Sequence, residues 1–260
     1  LAGERGFLAQ HLGQFARHGS GVGFVIPGQR VHLKAQRIGL PVVCKPQNGS
    51  QGKGVTVNIE TREQLALAFE SATVAARGKG PVLVERFFPG SDYRLLVVGN
   101  ELVAAARRDP PFVIGDGQHT IRQLVDVINS DPLRGDGHAT SLSKIRLDAI
   151  GLATLEEQQM TPESVPPRGV RINLRKNANL STGGTATDVT DDVHPDMAAS
   201  AVAAAHMVGL DICGVDVVCD SVYRSLQEQG GGIVEVNAAP GLRMHLSPSY
   251  GKGRPVGEAI

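Results

Sequence analysis

Two apolar strands that each carry an acid place the tightest constraint on this chain. Gly214-Val215-Asp216-Val217-Val218 and Ile233-Val234-Glu235-Val236-Asn237 are otherwise hydrophobic runs. Side chains alternate along a strand, so Glu235 and Asn237 share a face, and Asp216 can join them from a neighbouring strand. An ionised carboxylate in apolar surroundings is costly unless it is paired or bound to a metal. The oxygen-only set Asp216, Glu235 and Asn237 therefore reads as a site for Mg²⁺, which takes one or two carboxylates together with phosphate oxygens. The loop Asn237-Ala238-Ala239-Pro240-Gly241 follows at once, as at the mouth of a site. The competing reading is a set of polar residues on the open face of a half-buried sheet.

Three further constellations carry chemistry. Lys45 ends the apolar run Pro41-Val42-Val43-Cys44 and leads into Gln47-Asn48-Gly49-Ser50-Gln51-Gly52-Lys53-Gly54. Converging backbone N–H groups and lysine charge suit an anion. A strand, Val55 to Ile59, follows where a P-loop would require a helix. The segment reads as a flap over phosphates, or equally as a surface hairpin turn. Glu85 closes the strand Val82 to Glu85, with Phe88 and Asp92 beyond it. A strand-end peptide can pair with adenine and a later acid can accept ribose hydroxyls; an exposed turn explains the same residues. Finally, Arg175-Lys176-Asn177-Ala178-Asn179 and Ser181-Thr182-Gly183-Gly184-Thr185 combine cations, amides, hydroxyls and a glycine pair. Such a loop can hold a phosphoryl group in transfer, or be a polar surface loop.

Thr61-Arg62-Glu63-Gln64 and Thr120-Ile121-Arg122-Gln123 fit capping boxes that open helices, and Pro195 opens a third helix ending at Gly209. Tyr93 to Val98 and Leu102 to Ala106 read as a hairpin turning at Gly99-Asn100-Glu101. Residues 1–40 show no clean period, and residues 109–170 read as an insertion of short elements between core strands. The expected organisation is an incomplete N-terminal part at 1–40, a small lobe at 41–88 with the glycine-rich flap, and a large lobe at 89–260.

Lys plus Arg and Asp plus Glu number 26 each, so nothing suggests a nucleic-acid or anionic-membrane surface. The three cysteines, without CxxC spacing, indicate neither a disulfide framework nor a zinc site, and a reducing cytoplasm fits them. The absence of an initiator Met suggests a fragment or an ordered part of a longer chain.

Taken in order, these constellations resemble the ATP-grasp superfamily over residues 41–108 and 171–243. Glu235-Val236-Asn237-Ala238-Ala239-Pro240-Gly241 is the most specific tag. The runs Lys45 to Val55, Gly115-Asp116-Gly117 with His119-Thr120-Ile121, Asn177 to Thr185 and Glu235 to His245 are similar to cyanophycin synthetase. The resemblance implies an α+β ATP-grasp fold, two lobes with mainly antiparallel sheets clasping ATP between them. It implies a ligase that adds L-aspartate to the carboxylate end of a cyanophycin chain, with ATP and Mg²⁺ as cofactors. Other modules of the same parent chain, a homo-oligomer and a cytoplasmic location are expected with it. Residue roles follow by motif position. Lys45, Gln51, Gly52 and Lys53 would hold phosphates, Glu85 and Phe88 would bracket adenine, and Asp92 would hold ribose. Asp216, Glu235 and Asn237 would bind Mg²⁺. Arg175, Asn179 and the Gly183 and Gly184 amides would steady an acyl phosphate. Arg94, Arg107, Arg108 and Arg243 are candidates for substrate carboxylates, each with a surface ion pair as the alternative.

Overall fold

The computed structural model describes residues 22–25, 31–48, 54–77, 80–136, 140 and 142–260. The chain divides into two compact units, Leu1–Phe88 and Pro89–Ile260.

The first unit holds β1 (Val22–Val25), α1 (Val31–Ile38), β2 (Val42–Pro46), β3 (Thr56–Ile59), α2 (Arg62–Ala75) and β4 (Val82–Arg86). Its strands form one antiparallel sheet in the order β1-β4-β2-β3. Alternation decides its faces: Val42, Cys44, Val82 and Val84 are buried with Ala35, Leu65, Ala68 and Ala72 of the helices. The intervening Lys45 and Glu85 fall on the other side. α2 starts where the sequence predicts, and both halves of its capping box form between Thr61 and Gln64. Helix α1 lies in the stretch that shows no clean period. Its Val31, Ala35 and Ile38, spaced four and three apart, supply its buried stripe.

The second unit is built on a five-stranded antiparallel sheet. In chain order its elements begin with β5 (Ser91–Val98), β6 (Glu101–Asp109), β7 (Phe112–Ile114), α3 (Ile121–Asn129), β8 (Arg134–Gly135) and β9 (Leu142–Ser143). They continue with α4 (Ala149–Glu157), β10 (Arg171–Asn173), β11 (Thr185–Asp188), α5 (Pro195–Val208), β12 (Ile212–Cys219), α6 (Leu226–Gln229), β13 (Gly232–Ala238) and α7 (Arg243–Leu246). The main sheet runs β11-β6-β5-β12-β13. α5 packs across β5, β6, β12 and β13. The sheet residues Leu95, Val97, Ala105, Val215 and Val217, which alternate away from Asp216, are fully buried.

The insertion has its own core of Val113, Ile121, Val125, Ile145, Leu155, Ile172 and Leu174. It closes later than residue 170, because β10 returns to pair with β7. A three-residue strand with one buried side chain, Ile172, offers too little alternation to be read from sequence. α4, also unread, is capped by Asp148, whose carboxylate accepts from the Ile150 and Gly151 N–H groups at 3.1 Å each. All three cysteines are free and buried, and burial pushes the Cys44 thiol up to about 12. Among the described residues no helix is long and apolar enough to cross a membrane.

The Thr120 box at the start of α3 is complete on both sides. Thr120→Ala should lower stability by about 1 kcal/mol, the usual cost of losing such a cap. A urea titration followed by circular dichroism should show the midpoint fall with little change in slope.

Candidate functional site

In the first unit Lys45 and Glu85 project from the open side of the sheet and pair at 2.6 Å. The residues assigned to phosphate and to adenine thus hold each other, and an anion reaching Lys45 must compete with the Glu85 carboxylate. Phe88 is half-buried just past β4, where the Phe87 N–H donates to the Pro41 carbonyl. Gln51, Gly52 and Lys53 lie outside the described residues.

In the second unit the face of the main sheet opposite α5 carries a charged cluster. Asp216 and Arg94 are directly opposite across β12 and β5, and Asp92 and Arg108 across β5 and β6. Arg94 Nε donates to Asp216 Oδ1, and Arg94 Nη2 to Asp216 Oδ2 at 2.8 Å. Arg108 Nη2 lies 3.1 Å from Asp216 Oδ2, and Arg108 also grips Asp92 Oδ1 through Nε at 2.8 Å and Nη2 at 2.5 Å. Only 6% of the Asp216 side chain is exposed. Burial raises the Asp92 pKa, and the nearby Asp216 charge adds to this while Arg108 pulls the other way. For Arg108, burial works against the charge, but Asp92 and Asp216 outweigh it and raise its pKa.

A glycine makes the Arg94–Asp216 pair fit. A Cβ on Gly214 would stand 2.6 Å from Arg94 Cδ and 3.0 Å from Pro240 Cβ. The arginine stem therefore crosses the sheet where a side chain is missing.

Asn237 and Glu235 lie on the edge strand β13. Asn237 Nδ2 donates to Asp216 Oδ2 at 3.3 Å. Glu235 pairs in register with Asp216 and is exposed. β13 carries one extra residue between the pairs Asp216↔Glu235 and Val217↔Ile233, a bulge beside the acid. Among the described residues no group of three or more His, Cys, Asp and Glu side chains forms a metal cluster. Two carboxylates and an amide are fewer than that. Their hard oxygen donors fit Mg²⁺, which takes its remaining ligands from phosphate and water.

The four candidate arginines do not act as one group. Arg107 and Arg108 are neighbours on β6 and point to opposite faces. Arg107 pairs with Asp109 at 3.0 Å, away from Asp216, so one ligand on this face meets Arg94 and Arg108 but not Arg107. Arg243, on α7, has a buried Nη2 without a partner.

The basic loop is differently arranged from its reading in sequence. Arg175 is 5% exposed and pairs with Asp148 at 2.5 Å, while its Nε has no partner. Burial works against the Asp148 charge, but the Gly151 N–H and Arg175 outweigh it and lower its pKa. Arg175, Asp148, Lys144, Arg146, Ser181 and Thr182 line part of a cavity of about 200 Å³. The Gly183 and Gly184 amides are not open donors: they bond to the Leu180 and Asn179 carbonyls at 3.1 and 3.2 Å. Both glycines serve packing instead, since a Cβ would meet Ile145 Cγ1 at 2.7 Å or the Asp109 carbonyl oxygen at 2.8 Å. The Asn179 backbone carbonyl closes the turn, and the Asn177 side-chain oxygen is buried without a partner.

No family model matches the chain. It is 47% identical over 222 residues to a cyanophycin synthetase of Trichormus variabilis, covering 85% of this chain and 24% of that protein. The crystal structure of a bifunctional glutathione synthetase from Pasteurella multocida superposes with a TM-score of 0.65 at 33% identity, over 92% of this chain and 33% of that one. The D-alanine–D-alanine ligase of Bacillus anthracis shares the fold alone, with a TM-score of 0.50 at 10% identity, over 91% of this chain and 56% of that one.

The chain has the ATP-grasp fold.

In sequence its similarity runs to the cyanophycin synthetases. The chain spans about a quarter of the length of those relatives.

Two residues at the site are given no role in the sequence reading. Asp148 was hidden in an unread helix cap, although Asp before Ala-Ile-Gly is a cap signal. His245 is 2% exposed and its Nε2 has no partner. Burial, then Arg94 and Arg108, lower its pKa from 6.5 to about 4. The imidazole is thus neutral when folded and takes a proton more readily when unfolded. Its stabilising effect is complete above pH 6.5 and is lost as pH falls to about 4. The full effect is on the order of 3 kcal/mol. Urea unfolding of His245→Gln at pH 7 and pH 4.5 should show a smaller acid loss of stability than wild type; an equal loss would remove His245 as its source.

Proposed function

We propose that this module is an ATP-dependent carboxylate–amine ligase that adds aspartate to the C-terminal carboxylate of a cyanophycin poly-aspartate backbone. The observation that carries the proposal is 47% identity to a cyanophycin synthetase over 85% of the chain. The charged face of the second unit supports it.

In this reading the polymer carboxylate attacks the γ-phosphate of ATP, ADP leaves, and an acyl phosphate results. The aspartate amine then attacks the acyl carbon and phosphate departs. The chain's task is to position these groups and offset their charge. Lys45, Gln51, Gly52 and Lys53 are assigned to the nucleotide phosphates, Glu85 and Phe88 to adenine, and Asp92 to ribose. Asp216, Glu235 and Asn237 would hold Mg²⁺, which supplies Lewis-acid neutralisation of phosphoryl oxygens. Arg175 and Asn179 are assigned to the acyl phosphate, with Gly183 and Gly184 shaping the loop rather than donating to it. Arg94, Arg108 and Arg243 are assigned to substrate oxyanions. The unpartnered Arg175 Nε and Arg243 Nη2 support these last roles, because a buried donor without an acceptor is costly unless a ligand completes it.

A second reading, a glutathione-type ligase, is favoured by the likeness to the Pasteurella multocida enzyme. A third is a ligase joining ready-made aspartyl-arginine dipeptides. Phosphate release with ATP and Mg²⁺ separates them. Aspartate with a short cyanophycin primer should be turned over, whereas dipeptide alone, or γ-glutamylcysteine with glycine, should not. Turnover of either of those instead would transfer the assignment accordingly.

Glu235→Gln keeps shape and removes charge from an exposed position. Ligation should fall by about a hundredfold or more, the scale of losing a preorganised electrostatic contact at a reacting phosphate. Its thermal unfolding should match wild type. Near-normal turnover would exclude Glu235 from the metal.

A further inference from the structure

We propose that Asp216 is a two-position latch: free of a divalent cation it holds Arg94, and on taking the cation it releases Arg94 to an oxyanion of the substrate. This rests on the assignment of Asp216 to Mg²⁺ made above.

The argument begins with acceptor capacity. A carboxylate offers about four lone-pair positions. Asp216 already receives Arg94 Nε, Arg94 Nη2 at 2.8 Å and Asn237 Nδ2 at 3.3 Å, with Arg108 Nη2 at 3.1 Å. A cation needs the same lone pairs, so it enters only by displacing a donor.

The displaced group is Arg94. Arg108 keeps a second carboxylate, Asp92, at 2.5 and 2.8 Å. Among the described residues the ion-pair partner of Arg94 is Asp216 alone. The Arg94 side chain is 12% exposed, and a guanidinium left unpaired at that depth is costly. A cation beside it adds repulsion. The cluster of Asp92, Arg94, Arg108 and Asp216 is formally neutral, so a divalent ion also leaves an excess of positive charge. Both effects are relieved by one kind of ligand, an oxyanion, from either the nucleotide phosphates or an amino-acid carboxylate. Metal and oxyanion should therefore bind cooperatively, and the free metal poorly.

Gly214 gives a way to open the latch without changing a charge. An added Cβ would stand 2.6 Å from Arg94 Cδ, so Gly214→Ala pushes the arginine stem off its path to Asp216.

The test measures Mn²⁺ binding by electron paramagnetic resonance on the full-length protein, with Mn²⁺ alone, with ADP and with L-aspartate. Arg94→Met and Gly214→Ala should each tighten binding of Mn²⁺ alone by about tenfold, within the usual range of coupling between sites. The gain that an oxyanion brings to Mn²⁺ binding should shrink in Arg94→Met. Loss of that gain with ADP but not aspartate assigns Arg94 to phosphate; the reverse assigns it to the amino acid. If both variants bind Mn²⁺ alone no more tightly than wild type, while wild type binds Mn²⁺ and ADP, the latch is wrong and the ligase reading stands. If wild type binds no Mn²⁺ and ADP, both fail. The Arg94 Nε–H resonance of the wild-type protein needs no variant: adding Mg²⁺ and ADP should shift it. No shift overturns the latch even where a variant does not fold.

Discussion

A single buried carboxylate organises the charged face of the second unit. Asp216 stands in a strand whose other side is fully committed to the apolar core against α5. Left alone there it would be strongly destabilising; with Arg94, Arg108 and Asn237 around it, its charge is matched and its lone pairs filled. Three neighbours help to permit this. Gly214 leaves room for the arginine stem, Asp92 accepts from Nε and Nη2 of Arg108, and His245 stays neutral near two guanidiniums.

The first unit repeats the same division of labour on a smaller scale. One side of its sheet buries Val42, Cys44, Val82 and Val84 under two helices, and the other presents Lys45 paired to Glu85. In both units several of the functional candidates, Lys45 with Glu85 and Arg94 and Arg108 with Asp216, are charges already satisfied by one another. Such pairs keep a polar surface from destabilising the unliganded fold, and a ligand that used these charges would have to exchange partners with them. The basic loop differs: Arg175, though paired to Asp148, keeps a buried Nε with no acceptor.

Much of this architecture was legible in the residues because alternation is a local signal. The strands Val42–Pro46, Val82–Arg86, Ser91–Val98 and Ile212–Cys219 announce themselves, and Thr61 and Thr120 mark helix starts through spacing to Gln64 and Gln123. Placing Glu235 and Asn237 on one face also needed nothing beyond the period of two, whereas Asp216 joins them through the register of β12 with β13. What eluded the sequence was non-local. No spacing says that Arg94 will meet Asp216 across 122 positions, or that Asp148 will meet Arg175. The opposite facing of Arg107 and Arg108 was legible, since adjacent strand residues diverge, yet charge alone had grouped them. The Gly183 and Gly184 amides illustrate another limit: glycine advertises open backbone but not whether its N–H is already used.

The position of β12 between β5 and β13 has a consequence for how the chain finds its pairing. A slip of one residue against β5 would carry Asp216 into the hydrocarbon beneath α5 and set Val215 among guanidiniums. The acid proposed to serve chemistry in the finished protein therefore also favours the correct alignment during assembly. It rejects the misaligned sheet by charge, where a uniformly apolar strand would tolerate several alignments.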